Sequence, residues 1–597
     1  MKEICSSGRH GLRPQPRSPL RTRSVRRVSR SRTVRPTRCD AGKQYDYVVV
    51  GGGTAGCVLA NRLSADESKN VLVLEAGPVK SDMTVKTPAG IVRLFKSAFD
   101  WNLYTTRQTQ LDDRYLYLAR GKLIGGSSCT NATLYHRGTA EDYDNWGVEG
   151  WGSKDVLEWF KKVEANSRGE SEVHGANGFM SVEDPRYSNR LFENFFRAAE
   201  EVGLKENKDF NDWRHSQEGY GNFQVTQDKG VRADMFTNAL KPVLGRSNLD
   251  VQGGAITTKV VFEEGAGGTK AVGVEYALGG IDGAKESASL APGGEVLMCA
   301  GAIHSPSILM LSGIGPKSTL ENLDIPVVAD LEGVGQNLQD HPACLSAFKL
   351  KPQYESWCVT DHVYNNHGGI RKRALLNYLL FKRGPLATTG CDRGAFVSTT
   401  GSGQPDLQMR FTAGFALDPD GVSAYVRFGE LLEQGEKWPG GVTFQNIACR
   451  PKSKGSVTLS SDDPFASPKI NIGYLTDPEG EDARVLREGL KLSRKMASSE
   501  AWGKYLEEER FPGADKASDE ALDQYVRDTL HSANAVVGSC RMGVEKGDGS
   551  VVDPELKVHG IEGLRVVDAS VIPVIPGGQT GAPVIMLADR IASKLTS

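Results

Sequence analysis

The sequence predicts a two-part architecture: an α/β unit of Rossmann-like type, and an α+β unit in which helices pack on an antiparallel sheet. Three observations carry this reading. The chain has 597 residues, 39% hydrophobic and 24% charged, which is long enough for more than one core and excludes a peptide, a disordered tail or a single small module. Near its start the β-branched run 45–50 meets a glycine-rich turn, an apolar helical stretch and a second strand-like run, 71–74. Further on, residues 406–411 and 442–447 alternate as strands of a half-buried antiparallel sheet do, so that Gln408 and Arg410 project to one side and Met409 and Phe411 to the other.

The elements of the first unit follow in order. Gly51 permits a tight turn after the strand, Gly53 lets backbone approach a pyrophosphate, and Gly56 lets the next helix pack close to the strand. The phosphates of a dinucleotide then rest on free N–H groups at the start of that helix. The second strand ends at Glu75, nineteen residues after Gly56, where a carboxylate can accept hydrogen bonds from an adenosine ribose. Together these features point to dinucleotide binding. The 68 glycines of the chain also imply many tight turns and close backbone approaches.

The formal net charge of −2 hides a division. Residues 1–39 hold eleven Arg and one Lys against the single acid Glu3 and carry +11, which leaves −13 for residues 40–597. So acidic a body is no general binder of nucleic acid. The basic segment, taken as residues 1–42, is rich in Arg, Ser, Thr and Pro and lacks an apolar signal core, so it reads as an organelle transit peptide. Its prolines argue against the amphipathic helix of a mitochondrial presequence and favour the chloroplast. The alternative is a basic tail that meets an anionic partner. Ten cysteines lie scattered without a C-x-x-C pair or a Cys/His cluster, which indicates neither a disulfide framework nor a metal site and suits a reducing compartment. The uncharged run 569–588 has the length of a membrane span, but Pro573, Pro576, Pro583 and three glycines make it a poor spanning helix. The chain therefore reads as soluble, with at most a peripheral contact with membranes.

Three further segments bring the chain to a known family. Ala119-Arg120-Gly121-Lys122-Leu123-Ile124-Gly125-Gly126-Ser127-Ser128, continuing through Cys129-Thr130-Asn131-Ala132, resembles the first pattern of the glucose-methanol-choline (GMC) oxidoreductases. Gly301-Ala302-Ile303-His304-Ser305-Pro306, running on to Leu311-Ser312-Gly313-Ile314-Gly315-Pro316, resembles their second, and Gly333-Val334-Gly335-Gln336-Asn337-Leu338-Gln339-Asp340-His341 is similar to a further family stretch. The resemblance implies a GMC-type fold and bound FAD. It places Thr54, Ala55 and Glu75 around the adenosine and pyrophosphate, Thr257 near the adenine, and Gly121, Gly125, Cys129, Thr130, Asn131, Ala132 and Gly581 beside the cofactor. An FAD-binding domain of residues 43–150, 235–345 and 525–597 is expected, with a substrate domain of residues 151–234 and 346–524.

One departure from the family pattern is informative. Alcohol-oxidising members carry a histidine base in a C-terminal His-Pro-Val-Gly-Thr-Cys motif and a second His or Asn later. Here the first motif reads Ala535-Val536-Val537-Gly538-Ser539-Cys540, and the second position falls on Gly581. Neither Ala535 nor Gly581 can take a proton, though His531 or Asn534 could act as a displaced base. The substrate domain offers another set, Cys391, Arg410, Tyr425 and Gln445, which with Asn534, Ala535 and Gly581 resembles the fatty acid photodecarboxylases, a light-driven branch of the family. That resemblance implies a long-chain fatty acid substrate, its carboxylate held by Arg410 with Gln445, Tyr425 or Asn534, and Cys391 or Arg410 delivering a proton or hydrogen. Light-driven electron removal, loss of carbon dioxide and return of an electron and a proton would give an alkane or alkene one carbon shorter. The alternatives are a dark alcohol oxidase or dehydrogenase, or a hydroxynitrile lyase, on the same scaffold; a flavin photoreceptor without turnover ranks last.

Overall fold

The computed structural model describes residues 42–265, 268–365, 369–421, 427, 430, 431, 434 and 438–596. Two seven-stranded sheets organise them. The first begins with β1 (Gln44–Val50), α1 (Thr54–Leu63) and β2 (Val71–Glu75). Val48, Val49, Leu72 and Val73 are fully buried, as expected of parallel strands covered on both faces. β1 pairs in parallel with β2, Val48 opposite Leu72, and on its other side with Ala284–Met298, Val48 opposite Val296. The sheet order is Leu249–Gly253, β2, β1, Ala284–Met298, Gly268–Leu278, Ala255–Gly265, with Leu564–Val566 beside Ala284–Met298. It is Rossmann-like at its parallel end and antiparallel at its far edge.

The second sheet is antiparallel. Its order is Leu506–Phe511, β3 (Pro342–Leu350), β6 (Gly441–Ala448), β5 (Leu407–Thr412), β4 (Arg393–Val397), Gly219–Asn222. Alternation along β5 divides its side chains as the pattern predicted. Met409 and Phe411 enter an aromatic core with Phe195, Phe444 and Trp502, where Phe411 stacks on Phe195 at 4.6 Å. Arg410 lies on the opposite face, directly across from Gln445 of β6. β3 runs through residue 345, and His531–Ser532, inside 525–597, pairs with Pro342 and Ala343 of β3. The expected boundary at 345 thus falls inside β3, and His531–Ser532, from the segment expected in the FAD-binding part, joins the antiparallel sheet.

The helix that closes the first unit, Gly581–Thr596, packs against α1 and begins only after the proline-rich stretch. Among the described residues no helix is long and apolar enough to cross a membrane, and no group of three His, Cys, Asp or Glu side chains is placed to hold a metal. The eight described cysteines are free and buried. Residues 1–41 and Tyr425 lie outside the described residues.

Candidate active site

A cavity of about 700 Å³ lies between the two sheets. At one end are Gly51, Gly53, Thr54, Ala55 and Glu75, with Thr257 alongside. The glycine turn is built as its spacing implies. Gly51 has φ +103°, and a Cβ there would lie 2.6 Å from the Cys299 carbonyl oxygen. A Cβ on Gly56 would lie 2.0 Å from the Gly51 oxygen and 3.2 Å from Val49, so Gly56 lets the helix sit on its own strand and does not line the cavity. Each Glu75 carboxylate oxygen accepts a backbone bond, Oε2 from Gly52 N at 3.0 Å and Oε1 from Gly77 N at 2.8 Å. Burial pushes the Glu75 pKa up and these two bonds oppose it. Gly53 caps α1 without any side-chain bond, which leaves first-turn N–H groups for an anion. This cradle fits the pyrophosphate and ribose of the FAD that the sequence implies.

Gly121, Thr130, Asn131, Ala132, Ala535 and Gly581 also line the cavity. Cys129 stands behind this lining. Its thiol packs with Val85, Leu94 and Leu123 and bonds the Ile124 carbonyl at 3.4 Å. Gly125 also lies behind the lining, and its φ of +91° forms the turn that brings Gly126 up to Gly53. A Cβ at Gly581 would meet nothing within 4 Å, so packing does not require the missing side chain.

At the other end Cys391, Arg410, Gln445 and Asn534 come together on the lining. Arg410 is 9% exposed. Its charge helps to depress the pKa values of His136, His341 and His531 and opposes the rise that burial imposes on the Cys391 thiol. Cys391 Sγ sits 3.5 Å from Thr389 Oγ1, and that hydroxyl donates to the Ala132 carbonyl at 3.1 Å, which ties the thiol to the flavin-side segment. Gln445 Nε2 lies 3.0 Å from His531 Nε2, and His531 Nδ1 faces the Thr529 carbonyl at 3.3 Å. A carbonyl only accepts, so Nδ1 carries the proton and Nε2 accepts from Gln445. With its lone pair engaged, His531 is a poor candidate for a displaced base. Asn534 is also largely committed. At φ +63° its Oδ1 accepts from Ala119 N at 2.9 Å and its Nδ2 donates to the Ser532 carbonyl at 3.4 Å, so only the second Nδ2 hydrogen remains for a ligand.

Sequence reasoning passed over Asp340. Buried behind Ala535, it accepts from Tyr474 Oη at 2.5 Å, Ala535 N at 2.6 Å and Ser532 Oγ, and so fixes the backbone that carries Ala535 and Asn534. Asp568 does the same for the second pattern, accepting from Gly301 N at 2.8 Å and Ser305 Oγ at 2.6 Å. For Asp568 the available signal was its place directly after the apolar pair Val566-Val567; Asp340 follows the polar run Gln336-Asn337-Leu338-Gln339 and carries no such signal.

Buried histidines set an acid limit on stability. Burial holds His136 and His341 at about 3 and His304 at about 4, and depresses His531. Because the folded values lie below the unfolded one, their contribution is present above pH ~6.5 and is lost as pH falls, by ~1.4 kcal/mol per pH unit per group. His174, raised to about 9 by Asp209 and Glu164, contributes fully below pH ~6.5 and is flat in that window. The raised carboxyls of Glu75, Asp340 and Asp568 work the other way, each checked by its own hydrogen bonds. A lower thermal midpoint at pH 5 than at pH 7, measured by calorimetry, is the expected outcome.

Family models described as GMC oxidoreductase match residues 45–343 and 451–588. The chain belongs to the GMC oxidoreductase family. It is 54% identical to a chloroplastic fatty acid photodecarboxylase of Chlamydomonas reinhardtii, over 100% of this chain and 97% of that one. It is 35% identical to an oxygen-dependent choline dehydrogenase of Photobacterium profundum, over 92% and 93% of the two chains. Among solved structures it resembles the formate oxidase of Aspergillus oryzae RIB40, studied for its FAD modification, with a TM-score of 0.82, 26% identity and coverage of 93% and 98%.

Proposed function

We propose that this protein is an FAD-dependent fatty acid photodecarboxylase, which converts free long-chain fatty acids under blue light into carbon dioxide and an alkane or alkene one carbon shorter. The observation that carries the reading is the pairing of Ala535 and Gly581, on the cavity wall without a proton acceptor, with Arg410 and Gln445 in register across from each other on β5 and β6. The likeness to the algal enzyme supports it.

A carboxylate carried into an apolar cavity requires a charged or hydrogen-bonding partner. Arg410 offers a fixed fork of donors, and Asn534 Nδ2 and the Gln445 amide lie on the same lining. Tyr425 belongs to the proposed set although it lies outside the described residues. The acyl chain takes the apolar limb formed by Ile91, Phe95, Val359 and Val363, where each buried methylene contributes about 0.8 kcal/mol. When bound, FAD supplies the one-electron oxidising power that light provides and side chains lack. Overall, a carboxylate and a proton become carbon dioxide and a hydrocarbon that keeps the saturation of the acyl chain, an alkane from a saturated acid and an alkene from an unsaturated one, so no net oxidant is consumed. Burial keeps the Cys391 thiol protonated at neutral pH, as hydrogen or proton delivery requires.

Import into the chloroplast through residues 1–42 belongs to the same reading, supported by their Arg- and Ser-rich composition and by the chloroplastic relative. So does a peripheral contact with plastid membranes, since the substrate is a lipid.

The test is hydrocarbon and headspace carbon dioxide released from palmitate by the purified flavoprotein, in darkness and under blue light. Release only under light is expected; oxidation of an alcohol in the dark would overturn the reading in favour of an oxidase or dehydrogenase. Cys391→Ser is expected to slow light-driven release by about two orders of magnitude with palmitate affinity unchanged, read from initial rates against substrate concentration.

A further inference from the structure

Helix α2 (Lys372–Phe381) presents an unusual surface. Leu375, Leu376, Leu379, Leu380 and Phe381 are 40%, 58%, 49%, 63% and 63% exposed, and Ile370 just before them is 38% exposed. The pairs Leu375/Leu379 and Leu376/Leu380 are four residues apart and form two rows on one face, away from buried Ala374 and Tyr378. A contiguous apolar face of this kind marks a binding surface. It is framed by Arg371, Lys372 and Arg373 at the start of the helix and by Lys382 and Arg383 after it, with no Asp or Glu between residues 362 and 391. Arg371 is engaged by Asp361 at 2.9 Å, while Lys372, Arg373 and Arg383 are exposed. In a body of net charge −13 this is a local reversal of sign.

The buried side of the helix connects the surface to the cavity. Tyr378 packs with Val359, Val363, Leu386 and Ala387. Val359 and Val363 also line the apolar limb of the cavity, together with Ala89 and Pro385.

We propose that α2 is a membrane-surface docking helix, which lays its leucine face into the headgroup and acyl boundary of a bilayer containing anionic lipid while its flanking cations meet the headgroups. Charge chooses this occupant over a second copy of the chain. Two such faces brought together by a twofold axis would oppose their cations, whereas anionic headgroups complement them. An apolar face flanked by Lys and Arg has the composition of an interfacial helix. Docking sets the apolar limb of the cavity next to the leaflet, and in the photodecarboxylase reading, on which this last step rests, fatty acid enters from the bilayer without crossing water.

The test is co-sedimentation of the full flavin-loaded chain with phosphatidylcholine vesicles, with and without phosphatidylglycerol. The basic N-terminus also attracts anionic vesicles, so the decisive measurement is at high salt, where that attraction is screened and apolar insertion persists. The wild type is expected to stay bound there. The triple variant Leu376→Ser, Leu380→Ser, Phe381→Ser, with unchanged flavin absorbance, is expected to bind at least about tenfold more weakly. Lys372→Glu with Arg373→Glu is expected to reduce the preference for phosphatidylglycerol. Vesicle binding is read without turnover, so its failure is separable from failure of the decarboxylase reading. Equal binding by wild type and triple variant at high salt would overturn the proposal. So would a wild-type dimer, seen by analytical ultracentrifugation, that the triple variant converts to monomer, since the face would then be a self-interface.

Discussion

Arg410→Ala is expected to raise the KM for palmitate by two to three orders of magnitude while the protein keeps its flavin and its fold. Truncating one partner of a buried charge pair costs about 3–5 kcal/mol, and each 1.4 kcal/mol is a factor of ten. Arg410 is nearly buried, its neighbours His136, His341 and His531 are held neutral, and Cys391 is held as a thiol. None of these four can replace its charge. Arg410→Lys separates charge from geometry, since lysine keeps the cation and loses the planar fork, and it is expected to fall between wild type and Ala. Initial rates under saturating blue light give KM and kcat separately. An unchanged KM in Arg410→Ala would place the carboxylate elsewhere in the cavity.

The same residue shows how much the chain discloses by itself. The face of Arg410 was legible because a strand has period two and the apolar partners Met409 and Phe411 can only point inward. The turn at Gly51 and the close packing at Gly56 were legible because each is a local demand of a strand–turn–helix unit. What escaped are side chains whose partners are distant in sequence. Asp340 serves Tyr474, Ser532 and Ala535, and nothing near residue 340 announces them. Asn534 has a type suited to holding a carboxylate, yet its Oδ1 is spent on Ala119, more than four hundred residues away in sequence.

A pair of glycine substitutions separates what the cofactor cradle requires from what it merely leaves open. Gly126→Ala is expected to destroy flavin binding. Gly126 has φ +53°, and a Cβ there would lie 2.8 Å from Gly53 Cα, a backbone atom of the phosphate turn that cannot swing aside. Left-handed strain and overpacking together cost roughly 2–6 kcal/mol, and they fall where two glycine turns meet. Gly581→Ala is expected to keep fold, thermal midpoint and flavin content, because its Cβ enters space with no protein atom within 4 Å. The two glycines line one cavity and look alike in composition, yet only the first is demanded by backbone geometry. The ratio of flavin to protein absorbance after purification, with thermal melts of both variants, reads the contrast. Full flavin in Gly126→Ala would mean that the Gly53–Gly126 contact is not part of the cradle. Lost flavin in Gly581→Ala would mean that the space opposite Ala535 is filled by the cofactor to within a methyl group, and that the missing side chain was removed to admit it.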